Sequence, residues 1–376
     1  MRIKEFAVER WMDRYENTCR YNLAETCVES LTVAQLLRLA GREGSLEDAL
    51  SGLKLTYGAI PGSEALRSQI ASLYDRQQPS NILVTHGAIG ANALAYQALV
   101  EPGDRVISVL PTYQQHHSIP ESLGAEVRTL RLEESNGFLP DLDDLRKVVG
   151  GRARLIAFSN PNNPTGALMD RAMLEGIVAI ARGAGAWILS DEVYRGIDQT
   201  GTGFTASVAD LYERGISTGS MSKVWSLAGL RLGWIAAPAE LLHPVTTHRD
   251  YNTISVGLLD DWFATLALEA RDAILARSRN ITRTNLEILD DWVAEEPEIS
   301  YVKPLGGTTA LLRYASDEPS EQFCVRLVET TGVMFTPGSA LDIEGYLRIG
   351  YANNHAVLSQ GLPHVTEFLK ASLARR

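Results

Sequence analysis

The stretch Leu155-Ile156-Ala157-Phe158-Ser159-Asn160-Pro161-Asn162-Asn163-Pro164-Thr165-Gly166 runs from an apolar strand into a turn punctuated by two Asn-Pro steps. A helical pattern over residues 171–182 follows, and then Trp187-Ile188-Leu189-Ser190, apolar and strand-like again. Strand, helix and strand at this spacing form the unit of a parallel sheet. The surrounding chain repeats the unit. Strands are predicted at 81–85, 105–110, 126–132, 216–220 and 232–236, with helices at 89–100 and 142–149. Continuous apolar runs are strands covered on both faces. The expected fold class is therefore α/β: a large domain with a mostly parallel, seven-stranded-type sheet between helices. In such sheets ligands sit beyond the carboxyl ends of the strands.

From about residue 258 the texture changes. Long helical patterns run through Leu289 and Trp292, followed by short strands at 299–302, 309–312, 333–336 and 346–349 and a helix at 355–374. This reads as a smaller α+β domain. The expected division is an N-terminal arm and part of the small domain at 1–45, a large domain at 46–257 and a small domain at 258–376.

With 376 residues the chain is long enough for two cores, and 45% apolar with 22% charged residues is ordinary for a globular protein. A net charge of −11 argues against nucleic acid or an anionic membrane as a partner. Three scattered cysteines fit a reducing, cytoplasmic setting. The seven histidines lack metal-ligand spacing, and His116-His117 reads as a surface pair. No signal peptide or membrane span is read.

Six segments carry candidate chemistry. Ser220-Met221-Ser222-Lys223, with Arg231 in Gly229-Leu230-Arg231-Leu232-Gly233, places a lysine among hydroxyls with an arginine at fixed reach. That suits an amine holding an aldehyde cofactor beside a clamped phosphate; a solvated loop lysine is the alternative. Thr85-His86-Gly87-Ala88-Ile89-Gly90 passes from a strand through small residues into a helix, a place where backbone N–H groups meet anions. In the Asn-Pro turn, Asn163 is a fixed donor or part of a neutral loop. Asp191-Glu192-Val193-Tyr194 puts a carboxylate at a strand mouth, facing a protonated ring nitrogen or capping a helix. Tyr113, in Pro111-Thr112-Tyr113, lies against a planar ligand or in the core. Arg348, inside the apolar Leu347-Arg348-Ile349-Gly350, needs a carboxylate from the protein or from a substrate.

Taken in order, these segments resemble the fold type I pyridoxal-phosphate enzymes of the class I/II aminotransferase family, from about Asn22 to the C-terminus. The resemblance implies pyridoxal 5′-phosphate held as a Schiff base on Lys223, which then moves the α-proton. It implies that Asp191 keeps the pyridine nitrogen protonated and that Tyr194 and Asn163 bond the ring oxygen, with Asn163 also near the substrate. Tyr113 corresponds to the stacked ring. Gly87, Ala88, Ile89, Ser220, Ser222 and Arg231 correspond to the phosphate cup, and Arg348 to the α-carboxylate clamp. Tyr57, in Tyr57-Gly58-Ala59-Ile60-Pro61-Gly62, corresponds to a tyrosine from the neighbouring subunit, which implies a homodimer with shared sites. An amine near a cationic imine is expected to have a depressed pKa.

The chain departs from the family near its N-terminus. Where relatives carry a turn similar to Gly-Glu-Pro, this chain has Asn22-Leu23-Ala24-Glu25-Thr26-Cys27, with Trp11 and Tyr15-Glu16 upstream. Glu25 or Glu16 is placed to face a cationic or hydroxylated side chain, or else is a surface charge; Glu25 is taken as the substrate-selecting residue. Arg249 lies near where some members hold a second carboxylate, with Asp250 beside it, and a dicarboxylate substrate is not expected. The N-terminal pattern and residues 249–255 resemble capreomycidine-synthase-type relatives, which eliminate from or cyclise arginine derivatives. Aminotransferase is the first expectation and a lyase or cyclase the second. A third is an amino-acid-sensing regulator, which would carry a DNA-binding domain for which residues 1–22 leave no room.

Overall fold

The apolar runs of the central chain line up side by side. The computed structural model, which describes residues 2–373, orders them Ile82–Thr85, Gly233–Ala236, Gly215–Ser220, Trp187–Asp191, Leu155–Ser159, Arg105–Leu110 and Glu126–Arg131 in one seven-stranded sheet. Four neighbouring pairs are parallel; the two made by Gly233–Ala236 are antiparallel. The reversal has a local cause. No crossover helix separates Ser220 from Gly233, only a loop and the short turn Ala228–Leu230, so the chain returns along the same edge.

Every residue of Leu155–Ser159, Trp187–Asp191 and Gly215–Ser220 is buried. Side chains alternate between two cores, as the strand period requires. Leu155 and Ala157 pack with Leu94, Tyr96 and Leu241, whereas Ile156 and Phe158 pack with Leu145, Leu174 and Ile177. Helix Arg171–Ala184 starts where the Asp170 carboxylate accepts the Met173 N–H and stops at Gly185 in the left-handed region.

A second, antiparallel sheet runs Thr336–Pro337, Tyr346–Gly350, Thr309–Tyr314, Ile299–Tyr301. Helices Arg271–Glu295, Ser320–Thr331 and His355–Leu373 cover it, and Trp11, Tyr15, Tyr21 and Leu23 from the N-terminus fill the same core. The strand expected at 333–336 is split. Val333–Met334 pairs with Tyr21–Asn22, and Thr336–Pro337 pairs with the Tyr346–Gly350 strand. Between them, buried Phe335 gives its carbonyl to the Trp11 indole at 2.8 Å. The helix expected to reach 374 is described to Leu373. Among the described residues, no helix is long and apolar enough to cross a membrane.

Candidate active site

Strand register brings the carboxyl ends together: Thr85 and Ser220 flank Gly233, Asp191 lies against Thr218, and Ser159 against Asp191. Beyond this edge is a cavity of about 320 Å³. It is lined by Glu25, Ala88, Ile89, Tyr113, Asn163, Asp191, Tyr194, Ser220, Ser222, Lys223, Arg231 and Arg348, all singled out in the sequence.

Lys223 leaves the last parallel strand and points at the N-terminal segment. Its Nζ donates to Thr26 Oγ1 at 2.6 Å and lies 3.5 Å from Cys27 Sγ. Burial works against the ammonium, but the acidic groups around it, Cys27 as its thiolate at high pH, Tyr194, Glu25 and Tyr113, outweigh it and hold the Lys223 pKa above the ordinary lysine value. The depressed value expected from the sequence is therefore corrected: it presumed a cationic imine, which the chain's own side chains do not supply. Burial pushes the Cys27 thiol up to about 11, so it is protonated at neutral pH. Glu25 is opposed by burial too, yet Lys223 and the N–H groups of Cys27 and Thr26 hold its carboxyl below the ordinary value. One oxygen, Oε1, accepts both amides, at 2.7 and 2.8 Å. The N-terminal segment is pressed close here: a Cβ on Gly350 would lie 1.8 Å from the Glu25 carbonyl oxygen.

Asp191 is the last strand residue, at the back of the cavity, and does not cap a helix there. Its Oδ2 accepts the Asn92 amide at 2.9 Å, and Asn92 Oδ1 in turn accepts the Thr218 hydroxyl at 2.8 Å. The surface reading of His116-His117 is corrected. His116 is fully buried, its Nδ1 is 2.9 Å from the Tyr96 hydroxyl and its Nε2 is 3.7 Å from Asp191. The helix Gln115–Ser122 turns it inward, against the Tyr96 ring.

Gly87 opens the 13-residue helix Gly87–Leu99 with φ +65, which an L side chain rarely adopts. It sits just outside the lining, beside Arg231: a Cβ there would be 3.2 Å from the guanidinium. Arg231 itself has φ +49, uncommon for a side-chain-bearing residue, and donates to the Ala228 carbonyl at 2.7 Å. A helix N-terminus and a guanidinium thus meet at one end of the cavity.

At the other end Arg348, 3% exposed, donates to Asn163 Oδ1, the Ala24 carbonyl and Thr336 Oγ1 at 3.3, 3.2 and 3.0 Å. All three are neutral, and its Nε has no partner. Burial lowers its pKa from the ordinary arginine value. The turn carrying Asn163 is fixed by Asn162, whose Oδ1 accepts the Thr165 N–H and hydroxyl. The Tyr194 hydroxyl is buried without a partner. Tyr113 donates its hydroxyl to Glu9 at 2.8 Å, and burial followed by the Glu9 charge raises its pKa well above the ordinary value.

Tyr57 is not in the cavity of its own protomer; it lies on a loop, 76% exposed. Arg249 also stays out of the cavity, since it is buried and donates to the carbonyls of Val84 and Ile60. Sequence reading missed Glu9, Thr26, Cys27, Asn92 and His116. Only Asn92 had a local signal, lying about one and a half turns beyond Gly87 on the same helix.

These residues fit pyridoxal 5′-phosphate. A buried amine, a buried carboxylate with no lysine or arginine paired to it, an orphaned phenol and a cationic helix terminus match its aldehyde, ring nitrogen, ring oxygen and phosphate in chemical type.

The sequence model of the family described as "Aminotransferase class I and II" matches residues 37–362. Capreomycidine synthase of Streptomyces vinaceus is 30% identical over 364 residues, 96% of this chain and 93% of that protein. A PLP-dependent aminotransferase from Streptococcus suis 89-1591 superposes with a TM-score of 0.95 at 43% identity, covering 99% of both chains. The PLP-dependent cyclase OrfR superposes with a TM-score of 0.91 at 26% identity, covering 99% of this chain and 98% of its own.

Proposed function

The chain belongs to the class I and II aminotransferase family and depends on pyridoxal 5′-phosphate, and we propose that it is an aminotransferase acting on an α-amino acid through Lys223. The observation that carries this reading is Arg348. It is a buried guanidinium bonded only to neutral acceptors, in the same cavity as Lys223. A buried arginine without a carboxylate is costly unless an anion arrives, and a substrate α-carboxylate is that anion.

Pyridoxal phosphate, when bound, would supply an electron-accepting ring. The side chains do the rest. Arg231 and the amino end of Gly87–Leu99 hold the phosphate, with Ala88, Ile89, Ser220 and Ser222 around it. Asp191 would keep the ring nitrogen protonated, Tyr194 and Asn163 would donate to the ring oxygen, and Tyr113 would cover the ring face. Arg348 orients the amino acid by its carboxylate, and Lys223 Nζ carries the α-proton. Glu25 contributes to substrate selection.

A second reading has specific support in the 30% identity to capreomycidine synthase across nearly the whole chain. The same residues then serve elimination or replacement, the lyase or cyclase outcome, on a substrate such as an arginine derivative. Purified holoenzyme given a panel of amino acids separates the two. Release of the matching keto acid with the amine form of the cofactor supports transamination. Release of ammonia or a cyclic product with the aldehyde form retained supports the second reading, and no turnover in either sense overturns both.

Two finer points belong with the proposal. Leu55 and Tyr57 are 80% and 76% exposed, an apolar loop that suits a homodimer in which Tyr57 reaches the partner's phosphate. Sedimentation as a monomer at micromolar concentration overturns that. A cytoplasmic location fits the three free cysteines.

A further inference from the structure

One wall of the cavity comes from a helix with no part in holding the cofactor. Helix Ala7–Tyr15, continued by its cap Glu16, contributes Val8, Glu9, Met12 and Glu16 to the lining. Glu9, Met12 and Glu16 recur at i, i+3 and i+7, so they form one stripe along the helix. The neighbouring stripe fixes the helix in place: Trp11 and Tyr15 are buried in the small-sheet core, and Met12 packs against it. At its start the Ala7 N–H donates to Gln114 Oε1 at 2.8 Å, and the Phe6 ring packs on Tyr113 at 4.7 Å.

We infer that this stripe recognises the substrate side chain and that the side chain is cationic, ending in a guanidinium or an ammonium. The inference rests on the amino-acid reading above. The lining carries four carboxylates, Glu9, Glu16, Glu25 and Asp191, against three cations, Lys223, Arg231 and Arg348. A phosphate and an α-carboxylate add further negative charge. Arg231 would take the first and Arg348 the second, Asp191 would take the ring nitrogen, and Glu25 is held beside Lys223. Glu9 and Glu16 are left over. Among the described residues neither is paired with a lysine or arginine, and Glu9 accepts only the Tyr113 hydroxyl.

Acidic residues alone do not make a ligand site. Here the same cavity also holds two unpartnered groups on side chains more than nine-tenths buried, the Tyr194 hydroxyl and Arg348 Nε, so a ligand is built for. Val8 and Met12 offer apolar surface beside the carboxylates, which suits the methylene stem of a long cationic side chain. No lining cation remains for a second carboxylate, and Arg249 is turned away to backbone carbonyls.

The test is an absorbance titration of holoenzyme, with calorimetry as a readout independent of turnover. Arginine is compared with citrulline and lysine with norleucine, pairs that differ mainly in charge. At low ionic strength one cationic member is expected to bind about tenfold or more tighter than its neutral counterpart. Glu16→Gln, at an exposed position where folding is not at risk, and Glu9→Gln, which keeps an acceptor for Tyr113, should each shrink that ratio severalfold while moving norleucine binding little. Equal binding of charged and neutral members, or a ratio unchanged in both variants, overturns the cationic wall and leaves the amino-acid reading intact. If no amino acid perturbs the cofactor spectrum, both fall.

Discussion

Lys223 Nζ donates to the Thr26 hydroxyl at 2.6 Å, joining two residues 197 positions apart. The contact fastens the N-terminal segment over the cavity and fixes the amine at its centre. Val28 N–H to the Lys223 carbonyl, at 3.3 Å, runs beside it. The amine proposed to hold the cofactor and the segment that lacks the family's Gly-containing turn are therefore one structural unit.

Lys223→Ala should abolish covalent retention of the cofactor. Borohydride reduction followed by mass spectrometry should tag Lys223 in the wild-type protein and nothing in the variant, and turnover should fall by a factor of about 10³ or more. A tagged peptide elsewhere would show that another lysine is the anchor.

Arg348→Lys keeps the charge but loses the planar fork. It should raise KM for amino acids about tenfold, and Arg348→Ala should raise it about a hundredfold, in line with roughly 1.5–3 kcal/mol for a charge-assisted hydrogen bond. An unchanged KM in both variants would remove Arg348 from substrate binding.

Asn92→Ala removes a donor from Asp191 and an acceptor from Thr218 together. Cofactor affinity should weaken by about tenfold with the far-ultraviolet spectrum unchanged. Equilibrium dialysis against pyridoxal phosphate measures it.

Glu25→Gln should alter the preference between basic and neutral amino acids; identical kinetic constants across such a panel would end that role. It also carries a pH signature in the cofactor-free protein. The folded Glu25 carboxyl lies below its ordinary value, so its stabilisation is present above about 4.3 and is lost as pH falls through the depressed folded value. Lys223 lies above its ordinary value, so its share is present below about 10.4 and is lost as pH rises through the folded value. Glu25→Gln should lower the melting temperature at pH 7, and the difference should shrink as pH falls below about 4.3.

Asp198→Asn should stabilise the protein near neutrality. Burial outweighs Arg279, Arg195 and Arg283 and raises the Asp198 pKa to about 6, and its Oδ1 has no partner. A carboxyl raised in the folded state favours folding fully below about 3.9, and that contribution is lost as pH climbs to the folded value. The variant should gain on the order of 1–2 kcal/mol at pH 7.5 and nothing at pH 4, read from denaturant titrations.

The amino-acid sequence by itself determined the alternation of strands and helices, because burial on both faces writes a continuous apolar run into each central strand. It also singled out most of the polar residues that line the cavity. Asn163, Asp191, Tyr194 and Lys223 lie at or a few residues past strand ends, and a parallel sheet gathers its ends at one edge whatever the distant contacts are. Tertiary structure alone decided what faces that edge from outside. Glu9 reaches Tyr113 across 104 positions and Trp11 reaches Phe335 across 324. Such contacts leave no local period to read. The same holds for His116, whose neighbour His117 makes it look like surface until the helix turns it onto Tyr96 and Asp191. The strand divided at Phe335 belongs here too, since it changes partners where the N-terminal strand ends, and pairing partners are a property of the folded chain.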